Sequence, residues 1–132
     1  MKIATLLSVA AAIGLKSGAL ATPYDELGAK GYRWVTTDGP YACPSKDDLR
    51  QIIKHRADEA VIERLRAYYL IEGALVQVVV EDAASGMSQI HATEIKPDIW
   101  TLTRFLTRHP IKNTYGQIET PETLGLVPTT RR

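Results

Sequence analysis

The chain has 132 residues, of which 16 are Lys or Arg and 15 are Asp or Glu, so its formal net charge is +1. This balance argues against a dedicated nucleic-acid binder, because such proteins need a basic surface to neutralise phosphates. Hydrophobic residues make up 45% of the chain, which is enough for one domain with a buried core. Cys43 is the single cysteine, so an intramolecular disulfide is excluded and the fold must rest on packing.

Residues 1–21 have the pattern of a cleaved secretion signal. The positively charged Lys2 is followed by an apolar run at residues 3–15, which is too short for a comfortable membrane span. Ala19-Leu20-Ala21 then offers the small residues that a signal peptidase recognises. We therefore expect cleavage after Ala21 and a periplasmic or secreted domain at residues 22–132. An uncleaved anchor helix is the alternative, but Lys16 interrupts its apolar run. The signal carries two lysines and no acidic residue, so the mature chain has a net charge of −1.

The first elements of the mature chain are a lead-in and a strand. The polar stretch from Thr22 to Lys30 predicts a mobile lead-in or an added edge segment. Gly31 to Thr37 alternates in polarity, which predicts a first strand that brings Trp34 to the core. Asp38-Gly39-Pro40 predicts the turn that ends this strand.

Two short helices are predicted next. Ser45 is a good N-cap, and Asp48 completes an S-x-x-D capping box with it. An apolar stripe follows at helical spacing: Leu49, Ile52 and Ile53. The next apolar set would lie on nearly the opposite side of one continuous helix: Val61, Ile62 and Leu65. We therefore expect a break between His55 and Asp58, with Asp58 capping a second helix that ends near Arg66.

Ala74 to Glu81 is the clearest strand signal, because β-branched residues at period two suit a pleated surface. Apolar side chains fall on both of its faces, so we expect an inner strand. Tyr68 to Ile71 predicts a short strand before it, and Gly73 bends the chain between the two. Met87 to Thr93 predicts a weaker strand that pairs back through a turn at residues 82–86.

The last part of the chain is richer in turns. Lys96-Pro97-Asp98 predicts a break, because proline cannot donate to a β ladder. Trp100 to Leu106 predicts a third strand, or a strand that runs into a helical turn. Thr120-Pro121-Glu122 predicts one more helical turn, and Thr129 to Arg132 a frayed tail. Together these elements predict a small single α+β domain, with short N-terminal helices packed on a curled, mostly antiparallel sheet. An SH3-like small barrel is the architecture that this spacing favours.

Most catalytic and cofactor motifs are missing from the sequence. There is no phosphate-binding glycine loop and no G-x-S-x-G nucleophile motif. No histidine lies three or four residues from another histidine or from the cysteine, so there is no local pair of metal ligands among His55, His91 and His109. We expect neither a metal nor another cofactor.

Cys43 has two interpretations. A buried thiol would act as a small hydrophobic group, since free cysteine is among the most buried residue types. Its position just before a helix start would instead lower the pKa of the thiol and favour a reactive group or an intermolecular disulfide. The second interpretation leaves open a small thiol-dependent enzyme or redox protein.

The strongest binding signal is an aromatic and basic cluster centred on Trp100, Arg104, Arg108 and Tyr115. Arginines beside exposed aromatic residues are typical of protein-binding hot spots, although a solvated basic face beside core aromatics has the same composition. We therefore predict a non-enzymatic secreted or periplasmic protein that contacts another protein or an envelope polymer, with the loop from Gly116 to Glu122 at the contact. An inhibitor or immunity protein of a secreted enzyme would have the same signature.

Overall fold

The computed structural model describes residues 23–126, so the predicted signal and the predicted C-terminal tail lie outside the described residues. The α-helices are α1 (Pro23–Ala29), α2 (Lys46–Lys54) and α3 (Glu59–Arg64). The strands are β1 (Tyr32–Val35), β2 (Tyr41–Ala42), β3 (Tyr68–Tyr69), β4 (Leu75–Asp82), β5 (Met87–Ala92), β6 (Ile95–Leu102) and β7 (Leu106–Thr107). A 3₁₀ helix at Thr103–Phe105 joins β6 to β7.

Five strands form one antiparallel sheet in the order β6-β5-β4-β1-β7, and β2 pairs separately with β3. This confirms the prediction of a small α+β domain with a mostly antiparallel sheet and few helices. The four-residue step from Leu102 to Leu106 can span at most about 14 Å. The edges of a flat five-stranded sheet would lie about 19 Å apart, so the sheet must curl to let this step join β6 to β7.

The sheet does not close into a barrel, because the outer edge of β6 has another partner. The Cys43 N–H donates to the Trp100 carbonyl at 2.9 Å, and the Trp100 N–H donates to the Cys43 carbonyl at 2.6 Å. The segment before α2 thus pairs with β6 at the position where barrel closure would need β7.

Both predicted helix caps are confirmed. Ser45 Oγ accepts a hydrogen bond from the Asp48 N–H at 3.1 Å, and Asp58 Oδ1 accepts one from the Ala60 N–H at 2.9 Å. Each bond satisfies an amide of a first turn that has no partner inside its helix. The caps therefore fix where α2 and α3 begin.

The predicted break between the two helices is also confirmed. Arg56 and Ala57 both have positive φ values, 56° and 58°, which end α2 and redirect the chain into α3. Leu49 and Ile52 are fully buried, as the apolar stripe of α2 predicts, but Ile53 is 40% exposed. The stripe is therefore narrower than predicted, because Ile53 lies at the edge of the face that α2 buries.

The core consists of two apolar clusters. One is formed mainly by the strands: Val35, Ala42, Leu70, Val76, Ile90, Ala92 and Ile99. The other joins α2 and α3 to the ends of β5 and β6: Cys43, Leu49, Ile52, Ile62, Met87 and Leu102. Trp34 is fully buried, as predicted, and its Nε1–H donates to the Glu119 carbonyl at 3.0 Å. That bond fastens the C-terminal loop to the sheet.

The predicted lead-in at residues 22–30 is wrong, because this stretch contains α1. Proline at the first helical position and two acidic residues in the first turn favour a helix start here. Tyr24 then packs edge-on against Trp34, with ring centroids 6.1 Å apart. A long-range aromatic contact thus holds a helix whose local apolar pattern is weak.

The predicted break at Lys96-Pro97-Asp98 is also wrong, since β6 runs through it. β6 is an edge strand, where a missing N–H need not remove a ladder bond. The turn between β5 and β6 lies at Thr93 and Glu94 instead, where Glu94 has a φ of 70°.

β4 is an inner strand only in its first half. Leu75 to Gln77 pair with β1 on one side, and β5 pairs with the strand on the other side. A register shift between Val78 and Val80 then interrupts the alternation of faces. As a result Val79 and Val80 are 52% and 45% exposed. The prediction of an inner strand, with both faces buried, therefore fails for the second half of β4.

Candidate functional site

The four residues of the predicted binding patch lie in different surroundings. Trp100 is half-buried on β6, and Arg104 is exposed in the 3₁₀ helix, 5.2 Å from the ring centroid of the next residue. Arg108 follows β7 and donates to the Gly28 carbonyl at 3.1 Å, whereas Tyr115 stands on a turn in the C-terminal loop. Within residues 23–126, no hydrogen bond, ion pair or ring contact joins any two of the four.

Trp100 belongs to a charged corner that we name the Lys46 corner, formed by Lys46, Asp82 and Trp100. The Lys46 ammonium forms an ion pair with the Asp82 carboxylate and lies 4.7 Å from the centroid of the Trp100 ring. The hydrogen bond from Lys46, with help from Ser85, lowers the pKa of Asp82 to about 2. The corner fastens the start of α2 to the end of β4, so the exposed face of Trp100 is partly covered by a cation.

Cys43 lies directly beside this corner and is fully buried. Burial raises the pKa of its thiol to about 11, and the negative charge of Asp48 adds to the effect. The lowered pKa that the nearby helix start predicted is therefore wrong, because removal from water outweighs the helix dipole. The thiol is held in its neutral form, which disfavours nucleophilic chemistry.

Tyr115 is the most exposed of the large apolar or aromatic residues of the described chain, with 86% of its surface accessible. The turn that carries it is held by Asn113, whose Oδ1 accepts from the N–H groups of Tyr115 at 2.9 Å and Gln117 at 3.0 Å. The Asn113 backbone N–H also donates to the Gln117 carbonyl at 2.8 Å. The backbone that presents the Tyr115 ring is thus fixed in place by hydrogen bonds.

The Tyr115 turn packs against Gly73, which requires a glycine. Gly73 has a φ of +82°, and a Cβ there would lie 2.7 Å from the Cα of Asn113. Ile71, two residues before this contact, is 57% exposed, and Tyr69 is 53% exposed. The contact between Gly73 and Asn113 thus joins the β3–β4 connection, which follows Tyr69 and contains Ile71, to the C-terminal loop that carries Tyr115.

A groove of about 420 Å³ lies beside the β3–β4 connection. Tyr69, Ile71, Ile95 and Leu124 line it together with the first residues of β4. Two acidic residues, Glu94 and Glu119, also line it, and the Glu119 carboxylate accepts from the Leu75 N–H at 2.9 Å. The groove therefore offers a partner a mainly apolar wall with the Glu94 carboxylate beside it.

The sequence predicted Tyr115 and its loop as a contact but gave no such prediction for Tyr69 and Ile71. Residues 68–71 were predicted as a strand, and the strand covers only Tyr68 and Tyr69. One signal was present, because four consecutive large side chains cannot all be buried in a short strand that has one face in solvent. Leu70 is buried, and its two neighbours point outward.

No group of three or more His, Cys, Asp or Glu side chains within residues 23–126 has the arrangement to hold a metal ion. His91 Nδ1 and Asp98 Oδ1 lie 3.0 Å apart as an exposed pair. None of the helices in the same range is both long enough and apolar enough to cross a membrane. No protein-family model, curated protein or solved structure matches the chain.

Proposed function

We propose that this is a non-enzymatic periplasmic or secreted protein that binds another protein. Its contact is the Tyr115 surface, which we define as Tyr69, Ile71, Tyr115 and the adjoining apolar groove. The observation that carries the proposal is the exposure of Tyr115 on a turn fixed by Asn113, which packs against the segment that carries two further exposed large side chains.

Exposed apolar groups of this size favour a binding role. Large contiguous apolar patches on a soluble domain mark interaction sites, and tyrosine is among the residues that dominate binding energy in protein interfaces. The fixed turn adds to this, because a side chain on an ordered backbone loses less conformational entropy when it binds. The proposal keeps Tyr115 and the loop from Gly116 to Glu122 as the contact and assigns Trp100 mainly to packing.

The test is a comparison of crosslinking at two exposed positions. A photo-reactive amino acid replaces Tyr115 in one variant and Ile53, on the exposed side of α2, in another. We expect a discrete crosslinked product in intact cells from position 115 and none from position 53. Ile71→Ser should remove that product, while Val79→Ser, at a similarly exposed position on β4, should leave it. Equal crosslinking from positions 115 and 53, or none from 115, contradicts the proposal.

The crosslinked molecule also separates the alternatives. A secreted enzyme would indicate an inhibitor or immunity protein, and a glycan or other envelope polymer would replace the protein partner in the proposal. The thiol-dependent alternative has less support, because Cys43 is buried and its pKa is raised to about 11.

Export is part of the proposal, with cleavage after Ala21. Its measurement is the intact mass of the protein from the native envelope fraction, without and with reductant. We expect the mass of residues 22–132 with a free thiol. A mass that includes residues 1–21 would contradict cleavage, and a mass that falls on reduction would mean that Cys43 holds an adduct.

We also propose an SH3-like arrangement for the sheet. The strand order β6-β5-β4-β1-β7 and the 3₁₀ helix between the last two strands support it. Interproton contacts measured by NMR would test it, with β7 expected beside β1 and the Cys43 segment beside the outer edge of β6. Absence of the contacts between β1 and β7 would contradict the proposal.

A further inference from the structure

Two arginines lie opposite each other across β1 and the end of β7. The strands pair with Trp34 opposite Thr107 and Val35 opposite Leu106, so Arg33 and Arg108 occupy the next opposed positions. Both guanidinium groups donate to one acceptor, the Gly28 carbonyl of α1, Arg33 Nη1 at 2.9 Å and Arg108 Nη2 at 3.1 Å. Since the bonds share that oxygen, the two nitrogen atoms lie at most about 6 Å apart. We name these residues the arginine pair.

Packing and stability alone do not account for this placement. Like charges directly opposite each other on neighbouring strands destabilise a sheet. None of the ion pairs within residues 23–126 includes either arginine, although all 15 acidic residues lie in that range. The C-terminal end of α1 offsets part of the repulsion through its dipole, but a neutral carbonyl offsets less than a carboxylate would.

The electrostatics of Arg33 reflect the same conflict. Burial lowers the pKa of its guanidinium, and the charge of Arg108 lowers it further. The negative charge of Glu81, which lies beyond salt-bridge distance, raises the pKa of Arg33 but does not cancel this lowering. The site thus holds more positive charge than the neighbouring residues neutralise.

Both guanidinium groups keep donors for a ligand. A guanidinium has five N–H donors in a planar fork. Arg33 uses Nη1 for the carbonyls of Gly28 and Tyr32, and Arg108 uses Nη2 for Gly28. Within the described part of the chain, the remaining donors of the pair make no hydrogen bond.

We propose that the arginine pair binds a compact oxyanion, the carboxylate or phosphate group of a ligand. Such a group can accept from both forks at once, and it supplies the negative charge that the pair lacks. Two strands and a helix fix the geometry before binding, so little side-chain entropy is lost when the anion binds. The site uses no residue of the Tyr115 surface and goes beyond the function proposed above.

The experiment follows the arginine Nε–H signals of the ¹⁵N-labelled protein by NMR during titration with inorganic phosphate or sodium acetate. Sodium chloride holds the ionic strength constant, because exposed charges are screened by salt. We expect saturable shifts of the Arg33 and Arg108 signals. The Arg64 signal, from an exposed arginine on α3, should not saturate. Saturation with phosphate alone assigns a phosphate group, and saturation with acetate alone assigns a carboxylate.

Substitutions give the second half of the test. Arg33→Gln and Arg108→Gln should each raise the dissociation constant by about tenfold or more, because each removes one charged fork. Arg108→Lys keeps the charge but not the fork, so its dissociation constant should lie between those of the wild type and Arg108→Gln. Arg64→Gln should bind like the wild type. Arg108 is exposed, so its variants carry the test if Arg33→Gln does not fold. Shifts that stay linear with both anions, or unchanged binding by Arg108→Gln, would overturn the proposal.

Discussion

In the Lys46 corner a cation, a carboxylate and an indole ring satisfy one another, whereas at the arginine pair two cations share one neutral carbonyl. Both sites join a helix to the sheet, and both are partly exposed. The Lys46 corner needs nothing further to balance its charge. The arginine pair lacks a negative group, and for that reason we assign it a ligand.

The comparison shows that the presence of basic residues says little about their role. Lys46 and Arg33 are each fixed by hydrogen bonds to well-defined partners. The difference between them is that Lys46 has a carboxylate partner and Arg33 has none within residues 23–126. A paired charge at a surface contributes modestly to stability, whereas two neighbouring positive charges favour the binding of an anion. The Lys46 corner should therefore respond to mutation through stability, and the arginine pair through binding.

The largest effect is expected in the reactivity of Cys43, which lies beside the Lys46 corner. A thiol whose pKa is raised to about 11 has roughly a hundredfold less thiolate than an ordinary cysteine near pH 8, and burial adds a steric barrier. We expect an alkylating reagent to modify Cys43 only after unfolding, as measured by intact mass over time in native buffer and in denaturant. Rapid modification of the folded protein would mean that the corner opens and would restore the thiol-dependent alternative.

The next effect is the loss of stability when Trp100 is replaced. Trp100→Ala removes a half-buried ring that packs on the helical cluster and carries Lys46 on its face. Full truncation of a core aromatic residue costs about 3–5 kcal/mol, so a half-buried one should cost about 2 kcal/mol. Tyr115→Ala is the matched control and should change the free energy of unfolding by less than about 0.5 kcal/mol. Equal effects of the two substitutions in guanidinium denaturation would contradict the assignment of Trp100 to packing.

A smaller effect concerns the acid stability of the Lys46 corner. The pKa of Asp82 is lowered to about 2 in the folded protein, below its usual value near 4. Its contribution is therefore complete above about pH 4 and is lost as the pH falls through about 2. Asp82→Asn should lower the melting temperature near neutral pH, and the difference from the wild type should shrink between pH 4 and 2. Asp47→Asn, which removes an exposed pair with Arg50, is the control and should change the melting temperature near neutral pH by less than Asp82→Asn does.

The contrast also explains which features the sequence could predict. The caps at Ser45 and Asp58 are local, because donor and acceptor lie two or three residues apart, and both were found. The partnership of Lys46 with Trp100 spans much of the chain, and no periodic pattern records it. Tyr115 was predicted as a contact from its residue type and its turn-rich surroundings, whereas the exposure of Tyr69 and Ile71 depends on tertiary packing.

Errors at α1 and β6 have the same origin. α1 is short and has a weak apolar pattern, and the contact of Tyr24 with Trp34 supplies what local propensity lacks. β6 continues through Pro97 because it lies at an edge of the sheet, and an edge is defined only once the strand order is known. The opposition of Arg33 and Arg108 likewise depends on register, which neither segment specifies alone.

The smallest effect is the coupling between the two arginines themselves. In a double-mutant cycle of Arg33→Gln, Arg108→Gln and the double variant, we expect an unfavourable coupling in the wild type of about 0.2–1 kcal/mol. It should shrink as sodium chloride rises, because salt screens repulsion between exposed charges. Saturating phosphate should reverse the sign of this coupling, since an anion bound by both forks makes each arginine contribute more to stability when the other is present. A favourable coupling without any anion would mean that the pair stabilises the fold unaided, and the contrast with the Lys46 corner would then disappear.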